Sequence, residues 1–323
     1  MHSTPRNFDI FPPGAVAMLM TPFRQDWSVD LNGMARTAEL AIEQGASGLA
    51  VHGLASEGYK LLDRERREIV ERIAQVNSTP LLLAGVDHEA LICSVELAKA
   101  AAGAGATAIM AMPPKSSGGN RAHLVEYFGT LEAESSLPVV IQDAPRASGI
   151  AMAPDTLVAL TAALSKPNAI KVEDPIPPLK MADLLQRLPD DGRTVLYGGA
   201  GGRRFLGELD AGAIGTMVGP AYIDVFGAVQ DLHATDRTAA TALFEHLLPL
   251  LTAVDGNEWY ALLQKQLFLR AGLIEQAGLR PPAVVPEARY LDELVALFVR
   301  TAARHDRMGA ALRPLLNLGD ASR

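Results

Sequence analysis

Lys171 lies in KPNAIKVEDP (residues 166–175), behind a short apolar run and just ahead of two carboxylates, Glu173 and Asp174. If that run is a buried strand, the amine at its end is withdrawn from water. Burial disfavours a charged amine and favours the neutral form that attacks a carbonyl to give a Schiff base. A lysine pointing outward between helices is the alternative. A second stretch, GLASEGYKL (53–61), has Gly53 and Gly58 spaced for a tight loop whose backbone N–H groups suit a carboxylate, with the Ser56 hydroxyl beside them. An ordinary strand-to-helix turn fits it equally. Glu57 in that loop is either an acid–base group or a local cap or ion-pair partner. GGAGGRR (198–204) is glycine-rich but lacks the lysine and Ser/Thr of a P-loop. His52, His88 and His123 are too scattered for a metal site, and neither a metal nor a cofactor is expected.

The elements that must position these groups follow from a repeated step. In AIEQGASGLAVHG (41–53), AKAAAGAGATAIMAMPP (98–114) and LGELDAGAIGTMVG (206–219), a helix-like run ends at glycine and an apolar, strand-like run follows. Filling the gaps gives strands at 15–20, 48–51, 81–85, 108–112, 139–142, 169–172, 194–198 and 213–218. They are continuously apolar, as strands buried on both faces of a parallel sheet are. The helix LDRERREIVERIAQV between them has Asp63 as its expected N-cap and Ile69, Val70, Ile73 and Val76 on one face. Eight such units within about 220 residues predict an α/β fold, a (β/α)₈ TIM barrel with a C-terminal helical extension. A doubly wound sheet is the alternative. The expected divisions are an N-terminal segment 1–13, a barrel 14–220, helices 221–315 packed on it, and a tail 316–323.

In such a barrel the strand C-termini hold the site. Those ends supply Thr21, His52 through Glu57, Asp87, His88, Lys115, Gln142, Asp143, Lys171, Glu173, Tyr197 through Gly202 and Thr216. The formal charge of -8 argues against nucleic acid or an anionic membrane as partner, since each needs a basic surface. A small neutral or anionic metabolite fits better. The one cysteine, Cys93, forms no internal disulfide, fits a cytoplasmic compartment and is expected to be buried on a helix. The start has no secretory-signal pattern, and no stretch approaches the ~18 apolar residues of a membrane span.

With these residues in place, the chain resembles the dihydrodipicolinate synthase and N-acetylneuraminate lyase family of class I aldolase barrels. The resemblance rests on AVAMLMTPF (15–23), GLASEG where the family has Gly-Thr-Thr-Gly-Glu, Pro113-Pro114, QDAPRASG where it has Tyr-Asn-x-Pro-x-Arg-Thr-Gly, and AIKVED. It implies that Lys171 forms the imine and that Gly53, Leu54, Ala55, Ser56 and Glu57 hold the substrate carboxylate. Gln142 stands where the family has its proton-relaying tyrosine and cannot ionise. Leu54-Ala55 replaces the threonine pair, Lys115 and Ser116 replace aromatic residues, and Ala147 replaces an arginine, with Arg146 one place earlier.

The implied activity is a Schiff-base lyase, aldolase or dehydratase, on a small 2-oxo acid such as pyruvate or a sugar-derived oxo acid. Lys171, Gln142 and Glu57 form its expected catalytic set, with Asp143, Arg146, Gly199 and Thr216 joining the carboxylate loop in binding. Proton transfer falls to Glu57, Asp143, Lys115 or Tyr197. Glu173 steadies the iminium charge if the strand continues to it; the reading preferred from the sequence is that it already belongs to the loop beyond. A member that has lost turnover and binds an oxo acid as sensor or scaffold is the alternative. A homo-oligomer, dimer or tetramer, is implied by the resemblance.

Overall fold

The computed structural model describes residues 8–254 and 256–318, so residues 1–7 of the expected N-terminal segment and 319–323 of the expected tail lie outside it. Eight parallel strands pair in chain order and close on themselves. They are β1 (Gly14–Met18), β2 (Gly48–Val51), β3 (Leu81–Gly85), β4 (Ala108–Ala111), β5 (Val139–Asp143), β6 (Asn168–Val172), β7 (Thr194–Gly198) and β8 (Gly215–Val218). A doubly wound sheet would leave two open edges. Here β1 pairs with β8, Ala15 opposite Thr216, so no edge remains and the (β/α)₈ barrel stands. β1 ends two residues earlier than its apolar run, although the Leu19 N–H still bonds the Ala50 carbonyl at 2.8 Å and both Leu19 and Met20 are buried.

Between the strands run α1 (Leu31–Glu43), α2 (Asp63–Val76), α3 (Leu91–Ala104), α4 (Arg121–Ser135), α5 (Pro145–Ser148), α6 (Pro154–Ala163), α7 (Pro177–Arg187) and α8 (Phe205–Asp210). α9 (Asp224–Thr235), α10 (Arg237–Ala253), α11 (Asn257–Arg270) and α12 (Ala288–Ala302) follow β8. No helix among the described residues is long and apolar enough to cross a membrane. Two local expectations change. Asp63 is the first residue of α2, not its cap; the Glu65 carboxylate, one turn on, accepts the Leu62 N–H at 2.9 Å instead. Cys93 is half-buried, because α3 turns Ser94, Val95, Ala98 and Ala101 inward and leaves position 93 at the side.

Strand alternation sorts the apolar residues into two cores. Val16, Met18, Leu83, Met110, Val140, Ala169, Val195 and Met217 pack inside the barrel with Phe11, while Ala17, Leu49, Leu82, Ile109, Ile141, Ile170, Leu196 and Val218 pack under the helices. One step above Val140 and Ala169, the inward positions are Gln142 and Lys171, paired in register. The stagger of the strands carries that same register line down the barrel, from Lys171 to Tyr197, to Gly215, to Gly14. The Tyr197 hydroxyl therefore donates to the Pro12 carbonyl at 2.5 Å, ahead of β1, at the end of the barrel away from the strand C-termini. Tyr197 is a filler of the barrel interior, and the expectation that it serves proton transfer does not hold. Its burial pushes the phenol well above its usual range.

A buried ionic cluster fastens the C-terminal helices to the β2–α2 loop. Lys265 of α11 reaches Glu57 Oε1 at 2.6 Å and the Gly278 carbonyl at 3.0 Å. Glu57 Oε2 accepts Lys60 Nζ at 3.2 Å and the Arg280 N–H at 3.0 Å, while Arg280 also pairs with Glu65. Burial pushes the Lys265 amine down to about 8 although Glu57 opposes the shift. Removing one member of such a pair strands the other in a dry site. Lys265→Met is expected to cost about 3 kcal/mol or more of stability. A shift of the urea midpoint to lower concentration, with an unchanged slope, would show this.

Candidate active site

The C-terminal mouth of the barrel opens into a cavity of about 430 Å³, within the usual size for a metabolite site. Lys171 lies in its wall and is 5% exposed, so the inward rather than the outward reading of this lysine holds. Its Nζ is 3.3 Å from Glu173 Oε2. The same oxygen accepts Gln142 Nε2 at 2.6 Å, and the other, Oε1, accepts the Ala200 N–H at 2.7 Å. Burial alone would raise the Glu173 carboxyl, yet the Lys171 ammonium and these donors hold it below its ordinary value. A carboxylate bound in this way stays ionised and keeps one fixed orientation. Glu173 thus belongs to the site rather than to the loop beyond it, because its backbone N–H still bonds the Asp143 carbonyl at 2.9 Å and carries the β6 path one residue further.

Glycine makes this packing possible. A Cβ at Gly199 would fall 2.6 Å from Glu173 Oε1 and 2.7 Å from Lys171 Cε. Gly53 similarly admits the Met18 sulfur, 2.5 Å from where a Cβ would stand. In the loop after β2, the N–H groups of Ser56 and Gly58 bond the Gly53 carbonyl and that of Glu57 bonds the Leu54 carbonyl. The Ser56 hydroxyl donates to Leu19 at 2.6 Å. These groups close the turn, which leaves Leu54 and Ala55 as its cavity-lining members.

The remaining expected residues divide. Arg146, on the short α5, lines the cavity, as do Gln142 and Lys171. Glu57 is held in the ionic cluster described above. Asp143 and Thr216 fall on the helix-facing side of their strands: Asp143 pairs with Lys180 of α7 at 2.6 Å, and burial raises its carboxyl despite that ammonium. Lys115 is an exposed residue in a turn after β4. Residues outside the expected set also contribute. Arg203, whose Nε donates to the Ala200 carbonyl at 3.2 Å, lines one side. Tyr260 of α11 lines another, its hydroxyl accepting the Gly219 N–H at 2.7 Å. No local pattern marks Tyr260 for this place; it arrives only because α11 folds over the barrel mouth.

An inward lysine at a strand C-terminus, with a fixed carboxylate beside it and a metabolite-sized cavity above, defines an aldolase-type lyase on a (β/α)₈ barrel. Residues 12–300 match the dihydrodipicolinate synthetase family, and the chain belongs to it. It is 28% identical over 313 residues to the L-2-keto-3-deoxyarabonate dehydratase of Azospirillum brasilense, covering 91% of this chain and 97% of the relative. It is 27% identical over 280 residues to the 4-hydroxy-tetrahydrodipicolinate synthase of Bifidobacterium longum, covering 85% and 90%. The crystal structure of dihydrodipicolinate synthase from Rhodopseudomonas palustris superposes with a TM-score of 0.82 at 25% identity, over 89% of this chain and 97% of that one.

Gly199→Ala tests the packing directly. The added methyl must displace Lys171 or Glu173, and a misplacement of about 1 Å costs roughly 100-fold in rate. Borohydride trapping of pyruvate is expected to slow accordingly while the unfolding midpoint changes little.

Proposed function

We propose that this enzyme is a dehydratase of 3-deoxy-2-oxo sugar acids, working through an imine on Lys171. The observation that carries this reading is that Glu173 is the one carboxylate among the described residues lining the cavity, and that it touches the reactive amine. The substrate ketone condenses with Lys171 Nζ and releases water. The iminium then draws electrons from C3, and Glu173 takes the C3 proton to give an enamine. The enamine expels the C4 hydroxyl, and Glu173 returns its proton to that leaving group, so one carboxyl serves as base and then as acid. Hydrolysis frees Lys171.

Gln142 cannot take over the proton work of a tyrosine, but its amide keeps Glu173 aimed at the amine. The N–H groups of Leu54 and Ala55 suit the substrate's 1-carboxylate, while Arg146, Arg203 and Tyr260 surround its hydroxylated tail. Near-complete coverage of a keto-deoxy-sugar-acid dehydratase supports the substrate class. A member that has lost turnover has no use for so fully bound an acid–base group. The family resemblance supports a homo-oligomer, dimer or tetramer, in the cytoplasm.

Borohydride reduction in the presence of pyruvate or a 2-keto-3-deoxypentonate, read by intact mass and peptide mapping, is expected to place one adduct on Lys171. Lys171→Ala is expected to give no adduct and background dehydration. An adduct that persists in that variant would remove Lys171 from the mechanism.

A further inference from the structure

A second buried carboxyl stands behind the site, and the chemistry above does not use it. Glu208, on the short α8, is 1% exposed, and neither of its carboxyl oxygens has a hydrogen-bond partner among the described residues. It is pressed against the end of β7: a Cβ at Gly198 would lie 2.6 Å from Glu208 Cδ. The next residue, Gly199, bears Glu173 and Lys171 just as closely. Two adjacent glycines thus separate the two carboxyls, Glu208 behind the strand end and Glu173 within the barrel mouth. Thr216, in register with Gly198, is fully buried beside this place with its hydroxyl likewise unpartnered among the described residues.

An ionised carboxylate so placed would forfeit its hydration and gain no partner in return. The charged groups near it do not relieve this. Arg204, which precedes α8, attracts it more weakly than burial and Glu173 oppose it. On α7, Lys180 is taken by Asp143 and Asp174, and on α9 and α10, His233 and Arg237 are taken by Asp210.

We propose that Glu208 is a positioning residue for the Lys171 site: at neutral pH it holds a proton behind the β7 glycines, so that Glu173 alone faces Lys171 with negative charge, and in alkaline solution it adds a second negative charge behind the iminium. Burial and the Glu173 charge push its carboxyl up to about 8, in keeping with this role. Below that pH the pair shares one proton and carries one charge; above it, two. The second charge favours the protonated imine, so the wild-type enzyme keeps its iminium into the alkaline range.

The inference rests on imine formation at Lys171, and the test keeps the two apart. Cyanoborohydride trapping of pyruvate is followed from pH 6 to 10 in the wild type and in Glu208→Gln, an isosteric neutral replacement. Equal trapping at pH 7 is expected, with the rate at pH 9 relative to pH 7 at least about threefold lower in the variant. Superimposable profiles would overturn the proposal, whereas no trapping in either protein would instead strike at the imine reading. Stability supplies a readout independent of catalysis. A carboxyl raised in the folded state contributes stability that is complete below its unfolded value and is lost as pH rises through the folded one. Wild-type stability should therefore fall between about pH 4.5 and 8 more steeply than that of Glu208→Gln. Equal slopes would show that Glu208 does not hold the proton assigned to it, and would also overturn the proposal.

Discussion

Everything at the mouth of this barrel turns on the Glu173 carboxylate and the donors that hold it. Lys171 can be deeply placed because a carboxylate of opposite charge is fixed 3.3 Å away, and Glu173 can stay ionised because an amide side chain and a backbone N–H share its oxygens. The arrangement follows from two features of the fold. The β5–β6 register sets Gln142 beside Lys171, and the glycine at 199 leaves room for both charged groups against the start of the next loop. Each of the two charges offsets part of the hydration that the other loses there. Gln142 anchors Glu173 through its amide, and in the mechanism proposed above the proton passes to that anchored group.

The remainder of the molecule supports that pair at a distance. The hydrophobic interior of the barrel begins one layer below it and is stoppered at its far end by Phe11 and the Tyr197 hydroxyl. The roof comes from α11, whose Tyr260 is tied to the end of β8 and whose Lys265 reaches down to Glu57. That buried ion pair orders the β2–α2 loop, so the segment that offers Leu54 and Ala55 to the cavity is held from outside the barrel. Glu208 belongs to the same economy of charge. One carboxylate opposite one lysine is a balanced site, and a second carboxyl behind it leaves that balance unchanged while it carries a proton.

Much of this was legible in the residues alone. Helix-to-glycine-to-strand steps reveal the barrel because a parallel strand buried on both faces must be continuously apolar, and a lysine interrupting such a run stands out. Legibility stopped at the question of faces. Asp143 and Thr216 are polar residues near strand ends, like Lys171, but one step of the two-residue alternation turns them toward the helices. Glu57 sits in a loop whose sequence suits a carboxylate site, yet its partners Lys265 and Arg280 come from more than 200 positions away, and no local pattern announces them. Glu173 was visible as a neighbour of Lys171, but its place within the site depends on the Ala200 N–H, supplied by the next strand's loop.

The central claim is that Glu173 moves the C3 proton of a substrate held as an imine on Lys171. Exchange of the pyruvate methyl protons in D₂O, followed by NMR, isolates that step from any later elimination. Wild-type enzyme should exchange them catalytically. Glu173→Gln should still be trapped by borohydride on Lys171 but exchange about 100-fold more slowly or less. Exchange at the wild-type rate in that variant would contradict the account, because the proton would then be moving through another group.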